Sequence, residues 1–565
     1  MNDAQQQPSS GDTGLWLTLA GIGAAGVAAV WVALELGSSM AGVNEQLAWS
    51  APQTLAQLVR GELAWPLETT LMLVGILAVL VAIATGVGIL MARRKGKATR
   101  VDTAAGRMGR GRDISGLSFK NAELVAKRLG IENSVGIPLG KTVSGGQPLY
   151  ASYEDMVTMI AGPRVGKSTS LVIPALLEAP GFALVTSNKR DVLDATRGIR
   201  GERGRAWVFD PQGVAGEVPT WYWNPLSYVT DDEKAAKLAE HFASGSRKAG
   251  AKTDAYFDPA GQDLLAGMLL AAAIDGRDIT DVYRWLADDG NREPSTILRE
   301  SSYPLVADAV LGVMGLEAKQ RGGIYGTAVQ MASSLKSSRI AAWITPGLGR
   351  EEFRPDFAVR STDTLYSLSK EGAGSAGPLV LALTAAVVEA AEEYAVTQPG
   401  GRLQVPMLGV LDEAANVCRW ASLPDLYSHY GSRGINLITI LQSWSQGVDV
   451  WSQSGMRKLW SASNVKIYAG GVDEVDFLKQ LSDNVGDYRY EQRTVSRGRG
   501  GGTNVSRSIT KERKLDVSDL AALPRGRAVV FGSGSVPTMM RTVPWMEGRH
   551  AQQVRASIAQ AGARA

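Results

Sequence analysis

The stretch MVTMIAGPRVGKSTSLVIPALL, residues 156–177, restricts this chain more than any other feature. Met156 to Ile160 is a short apolar run of strand type, and Ala161 to Lys167 then supplies small and turn-forming residues ending in Gly-Lys-Ser. A strand, a glycine-bearing loop and a helix in that order turn backbone N–H groups and the positive end of a helix dipole onto one point, which suits phosphate. The spacing is that of a Walker A loop, with Ala161 where the stricter pattern has glycine. The expected nucleotide-binding loop is therefore Ala161, Gly162, Pro163, Arg164, Val165, Gly166, Lys167, Ser168 and Thr169. Lys167 would reach the β- and γ-phosphates of ATP, and the Ser168 hydroxyl would ligate Mg²⁺.

About 240 residues further on, VPMLGVLDEAANV sets an apolar run, Val405 to Leu411, directly before Asp412 and Glu413. A buried parallel strand delivers carboxylates to the C-terminal edge of a sheet in this way. As a Walker B pattern it gives Asp412 the Mg²⁺ shell and Glu413 the role of general base toward the attacking water. A third strand, Ile435 to Leu441, ends at Gln442, placed to sense the γ-phosphate. Arg433, in the loop before that strand, is a candidate arginine finger for a neighbouring subunit.

At 565 residues, 45% hydrophobic and 20% charged, the chain has room for two or more domains. A single cysteine, Cys418, excludes a disulfide framework within the chain, and three scattered histidines argue against a histidine metal centre. Two stretches are long and apolar enough to span a membrane, 15–36 and 67–92. No Lys or Arg precedes the first, so it lacks the charged start of a signal peptide and reads as a retained span. Arg93, Arg94, Lys95, Lys97, Arg100, Arg107, Arg110 and Arg112 follow the second, against Asp102 alone. By the positive-inside rule both termini face the cytoplasm, with a cytoplasmic tail at 1–14, an extracytoplasmic loop at 37–66 and a basic juxtamembrane linker at 93–120. That flank accounts for +7 while the whole chain carries +3, so the remainder is −4 and the basic pI is no sign of nucleic acid.

Beyond the flank, α/β character over 121–229 gives way at 230–350 to Ala- and Leu-rich segments of helical spacing, then returns over 351–548. The expected fold is α/β, a RecA-like P-loop NTPase core with an inserted all-α domain, preceded by two transmembrane helices and followed by a polar tail at 549–565. The segment SRGRGGGTN at 496–504 is basic and glycine-rich, either a DNA-contacting loop or a solvated hairpin tip.

Two N-terminal spans, a basic flank, GKSTSLVIPALLEAPGFALVTSNKRD, VFDP, WNPL, a helical insertion, LDEAANV and ITILQSWSQ together resemble the type IV secretion coupling proteins of conjugation systems, over about residues 15 to 545. Pro174 adds to the likeness, since proline within a helix costs about 3 kcal/mol and this family carries it there. The resemblance implies an ATPase of the cytoplasmic membrane, six subunits around a channel, that receives a relaxase-bound single DNA strand and feeds it to type IV secretion channel proteins. It assigns Lys167 and Ser168 to phosphate and Mg²⁺, Asp412 and Glu413 to the Walker B pair, Gln442 to the motif after the next strand, and Arg433 approximately to the finger. The alternatives are an FtsK-like double-strand translocase and a docking receptor that uses nucleotide only as a switch.

Overall fold

Apolar runs that are buried at every position, with no polar alternation, fit only the interior of a sheet covered on both faces. The computed structural model describes residues 26–43, 50–94, 99–247, 254–370, 376–497 and 503–564, and the chain divides into two units, Met1–Ala98 and Thr99–Ala565.

In the first unit the helix Leu67–Arg94 contains a 20-residue stretch, Leu67–Gly86, of mean hydropathy 2.4. At 1.5 Å per residue it is about 30 Å long, the thickness of a bilayer's hydrocarbon. Among the described residues it is the one helix long and apolar enough to cross a membrane. Of the first expected span, 15–25 lies outside the described residues and the rest belongs to a shorter apolar helix, Gly26–Met40. The expected tail 1–14 also lies outside them. The expected loop 37–66 contains the helix Ala51–Val59.

The second unit contains fifteen strands among its described residues: β1 (Ile137–Thr142), β2 (Pro148–Ala151), β3 (Val157–Ile160), β4 (Ala183–Ser187), β5 (Ala206–Phe209), β6 (Trp221–Tyr222), β7 (Glu351–Glu352), β8 (Thr364–Leu368), β9 (Met407–Leu411), β10 (Ile435–Leu441), β11 (Val465–Tyr468), β12 (Asp487–Arg497), β13 (Thr503–Arg513), β14 (Arg527–Gly532) and β15 (Thr538–Arg541). Eleven form one sheet in the order β2-β1-β15-β14-β11-β3-β10-β9-β4-β8-β5. From β11 to β5 every pairing is parallel, and from β11 through β14, β15 and β1 to β2 every pairing is antiparallel. The remaining strands pair as β6 with β7 and as a β12–β13 hairpin, whose tip, 498–502, lies outside the described residues.

Successive residues of each inner strand feed opposite cores. Leu408, Val410, Ile438 and Ile440 join one core with Leu176 and Val192, while Met407, Leu411, Leu437 and Leu441 join the other with Leu379 and Leu383. The sheet is thus the middle layer of three.

Between 230 and 350 the described residues are helical, including Asp232–Ser246, Phe257–Ile274 and Ala318–Met331, and contain no strand. These helices share the second core with the sheet. Lys234 ties them to the helix Gly377–Thr397, donating to Glu389 at 2.7 Å and Glu393 at 2.8 Å.

Residues 99–120 differ from the expected linker. Val101, Ala104, Ala105, Met108, Ile114 and Leu117 are buried, and Asp102 pairs with Arg527 at 2.6 Å. The charge run hid apolar residues at helical spacing, and two of its arginines serve the fold: Arg100 meets Asp516 and Asp519, and Arg107 lies over the Tyr488 ring. The polar tail is likewise built in. Helix Ala551–Arg564 lies on helix Asp191–Gly201, with Ser557 Oγ donating to the Asp194 carbonyl at 2.7 Å and accepting from Gly198 N–H at 3.1 Å.

Candidate nucleotide site

The C-terminal end of a parallel strand is where the following loop leaves the sheet, so three adjacent strands bring three loops to one edge. β10 lies between β3 and β9, with Leu441 in register with Ile160 and Thr439 with Leu411. The loop at 161–167, the acids at 412–413 and Gln442 therefore leave the sheet side by side.

The loop is held from both sides. Ala161 N–H donates to the Leu441 carbonyl at 3.0 Å and Gly162 N–H to the Gly470 carbonyl at 2.9 Å. A Cβ on Gly162 would stand 2.0 Å from the Gly471 carbonyl oxygen, so only glycine permits this backbone contact. Gly166, at φ 92°, makes the turn that starts the helix. Pro163 and Arg164 are exposed, Val165 and Gly166 half-buried, and Thr169 Oγ1 donates to the Gly166 carbonyl at 3.1 Å.

The helix itself explains Pro174. Ser168–Val172 is a π turn, with Ile173 N–H donating to the Ser168 carbonyl, and the α-helix proper runs only over Ile173–Glu178. Proline at the second position of that segment takes no hydrogen bond from a regular ladder.

Lys167 Nζ lies 3.6 Å from Glu413 Oε1 and donates to the Ala161 carbonyl at 3.2 Å; the Lys167 and Glu413 side chains are each 9% exposed. Glu413 Oε2 accepts from Gln442 Nε2 and, at 3.4 Å, from Asn416 Nδ2. Glu413 has left-handed backbone, φ 56° and ψ 43°, and Arg164 has φ 60°. Two of the four non-glycine residues with positive φ among those described thus flank this edge, and such strain collects where side chains are held for function.

Asp412 is buried, with Oδ1 lacking a hydrogen-bond partner among the described residues. Burial pushes its carboxyl up to about 7, the neighbouring Glu413 adds to the rise, and Lys167 opposes it. An unpartnered buried oxygen of this kind fits a divalent cation, whose charge offsets the burial. Together with the half-buried Ser168 hydroxyl and the donor-rich loop, the residues fit a Mg²⁺-bound nucleotide.

Arg433 stands apart. It closes the turn Gly431–Arg433 before β10, so the seven residues of that strand, roughly 23 Å of extended chain, separate it from Gln442. Its guanidinium pairs with Glu392. The chain's own Arg433 is therefore not brought to its own site.

Two contributors escape the motif search. The Gly470–Gly471 pair after β11 braces the loop, and the glycine doublet behind an apolar run is its only sequence trace. Glu474 accepts from the N–H groups of Trp444 at 2.9 Å and Ser445 at 3.0 Å, fixing the segment that leaves Gln442.

Comparison with known proteins points one way. Residues 406–525 match the family described as the TraM recognition site of TraD and TraG. Over 402 residues the chain is 21% identical to the protein VirD4 of Agrobacterium fabrum, covering 69% of this chain and 58% of that protein, and it is 21% identical to VirD4 of Rhizobium rhizogenes with the same coverage. It therefore spans little more than half the length of these relatives. Its fold is similar to that of the bacterial conjugative coupling protein TrwBdeltaN70 in an unbound form, at TM-score 0.53 and 16% identity over 76% of this chain and 92% of that one. It is also similar to the plasmid coupling protein TrwB in complex with ADP and Mg²⁺, at TM-score 0.51 and 16% identity over 72% and 89%. The resemblance to type IV secretion coupling proteins holds in sequence comparison, and the mixed α/β fold with its large parallel sheet holds in structure.

Proposed function

We propose that this chain is a membrane-anchored, ATP-driven coupling protein that brings a relaxase-bound single DNA strand to a type IV secretion channel. The observation that carries this is the meeting of Lys167, Asp412, Glu413 and Gln442 at one sheet edge from motifs up to 275 residues apart. The similar structures of TrwB with ADP and Mg²⁺ support the same cofactors here, and the helix Leu67–Arg94 supports an anchor. A second span at 15–36, cytoplasmic termini and a homohexameric ring complete the proposal.

Bound Mg²⁺ would supply Lewis-acid stabilisation of charge developing on the phosphates. Lys167 would neutralise charge on the β- and γ-phosphates, and Ser168 and Asp412 would hold the metal. Glu413, already oriented by Gln442 and Asn416, takes the proton of the attacking water. Gln442 links that base to the segment beyond β10, which gives hydrolysis a mechanical outlet. Arg433 would act only on a neighbouring copy's nucleotide, after its pair with Glu392 opens.

The test is ATP hydrolysis by the full chain in detergent, with and without single-stranded DNA. Stimulation by the strand and its abolition in Lys167→Ala are expected. Hydrolysis indifferent to DNA would remove the motor, and conjugative transfer surviving Lys167→Ala would favour a docking receptor.

A further inference from the structure

Beyond Gln442 the chain enters helix Trp444–Ala462, which breaks at Ser452 (φ 62°, ψ 171°) and brings Trp460 back to 5.9 Å from Trp444, edge to face. A cleft of about 410 Å³ opens beside these rings, lined by Trp444, Arg457, Trp460, Lys466, Gln480 and Asn484 among others, and by no acidic residue. Three other clefts of comparable or larger size on the same unit each present at least one carboxylate: Glu217, Glu132 and Glu178.

Lys466 sits on β11 opposite Phe531 of β14, half-buried, and its Nζ donates to the Ser463 carbonyl at 2.6 Å. Among the described residues no carboxylate lies within ion-pair distance of Lys466 or of the exposed Arg457. Burial holds the Lys466 ammonium below the usual lysine range, and no opposite charge restores it. A partly desolvated cation without a counter-charge is costly in a closed fold and suited to an incoming anion. Trp444 and Trp460 are buried, with Trp444 stacked on Phe477, so they give the cleft an apolar wall, while two cations and two side-chain amides supply a polar lining that suits a backbone phosphate.

We propose that this cleft binds one backbone phosphate of a single nucleic-acid strand, held by Lys466 and Arg457 beside the apolar wall of Trp444 and Trp460. It rests on the single-strand motor proposed above and names where that motor reads its substrate. Trp444 is two residues beyond Gln442, and Glu474 pins the N–H groups of Trp444 and Ser445. Strand occupancy is thereby reported to the side chain that orients Glu413.

The experiment measures binding of a fluorescein-labelled oligothymidylate to the full chain in detergent by anisotropy over a range of salt, for the unaltered chain, Arg457→Ala and Lys466→Gln. Each substitution is expected to weaken binding about fivefold or more and to lower the slope against log salt by about one, the signature of one lost phosphate contact. Thermal unfolding checks the fold, and Arg457, being exposed, removes no packing. Binding by the unaltered chain with affinity and slope unchanged in both variants overturns the cleft and leaves the motor standing. No binding by the unaltered chain overturns both. Loss confined to phosphatidylglycerol vesicles or to a poly-glutamate peptide, with oligonucleotide binding intact, also overturns it and makes the cleft a lipid or acidic-peptide site.

Discussion

Gly162→Ala is the sharpest perturbation of the loop. The added Cβ would lie 2.0 Å from the Gly471 carbonyl oxygen, 2.5 Å from its carbon and 2.8 Å from Gly471 Cα. All three are backbone atoms, so no side chain can rotate away. Restoring a contact of about 3 Å requires one loop to retreat by about 1 Å, which also stretches the bond from Gly162 N–H to the Gly470 carbonyl, now 2.9 Å. Overpacking costs about 1–3 kcal/mol and the weakened hydrogen bond about 1 kcal/mol, so a loss of about 2–4 kcal/mol is expected. A displacement of about 1 Å beside reacting groups lowers turnover roughly a hundredfold. Urea denaturation and ATP hydrolysis read the two effects. Gly322→Ala is the comparator: it lies in helix Ala318–Met331 with open space at its Cβ, and it should gain up to about 1 kcal/mol. An unchanged denaturation midpoint and turnover in Gly162→Ala would refute the brace.

Glu413→Gln should lower turnover by about 10²- to 10⁴-fold while a fluorescent ATP analogue still binds; retained turnover would assign the base elsewhere. Arg200 is fully buried and donates to the carbonyls of Ala179, Gly181 and Thr362 and to Thr364 Oγ1, so Arg200→Ala should cost about 3–5 kcal/mol in urea denaturation. Burial lowers the His241 imidazole from 6.5 to about 4, which means the unfolded chain takes up the proton first. Stability from this group is full above about pH 6.5 and falls as pH drops toward 4, by up to about 3 kcal/mol. Denaturation midpoints across that window should show the step in the unaltered chain and a flatter profile in His241→Leu.

The local motifs were legible because their chemistry is local. A strand followed by Gly-Lys-Ser and a strand followed by Asp-Glu name their own geometry, and β3, β9 and β10 lie within a residue or two of the apolar runs that marked them. What escaped depends on partners far away in the chain. Nothing near Gly470 says that Gly162 will donate to it, and the basic run after residue 93 concealed the apolar face of 101–117, whose partners lie near 527–540. Arg433 lies in the turn before β10, where the sequence puts it, and its expected role concerns a neighbouring copy, which one chain's sequence or fold does not display.

The central place of β3 in the sheet bears on how the molecule is made. Its two neighbours, β10 and β11, begin at Ile435 and Val465, so Val157–Ile160 leaves the ribosome 275 residues before either exists. At the ordinary pace of synthesis, about 5–20 residues per second, that wait is roughly 15 to 55 s. The outer edge waits longer, since β1 pairs with Lys141 opposite Arg541. The nascent protein therefore carries an orphan apolar strand through about half of its translation, and unpaired strands of this kind are prone to aggregate until their partners arrive.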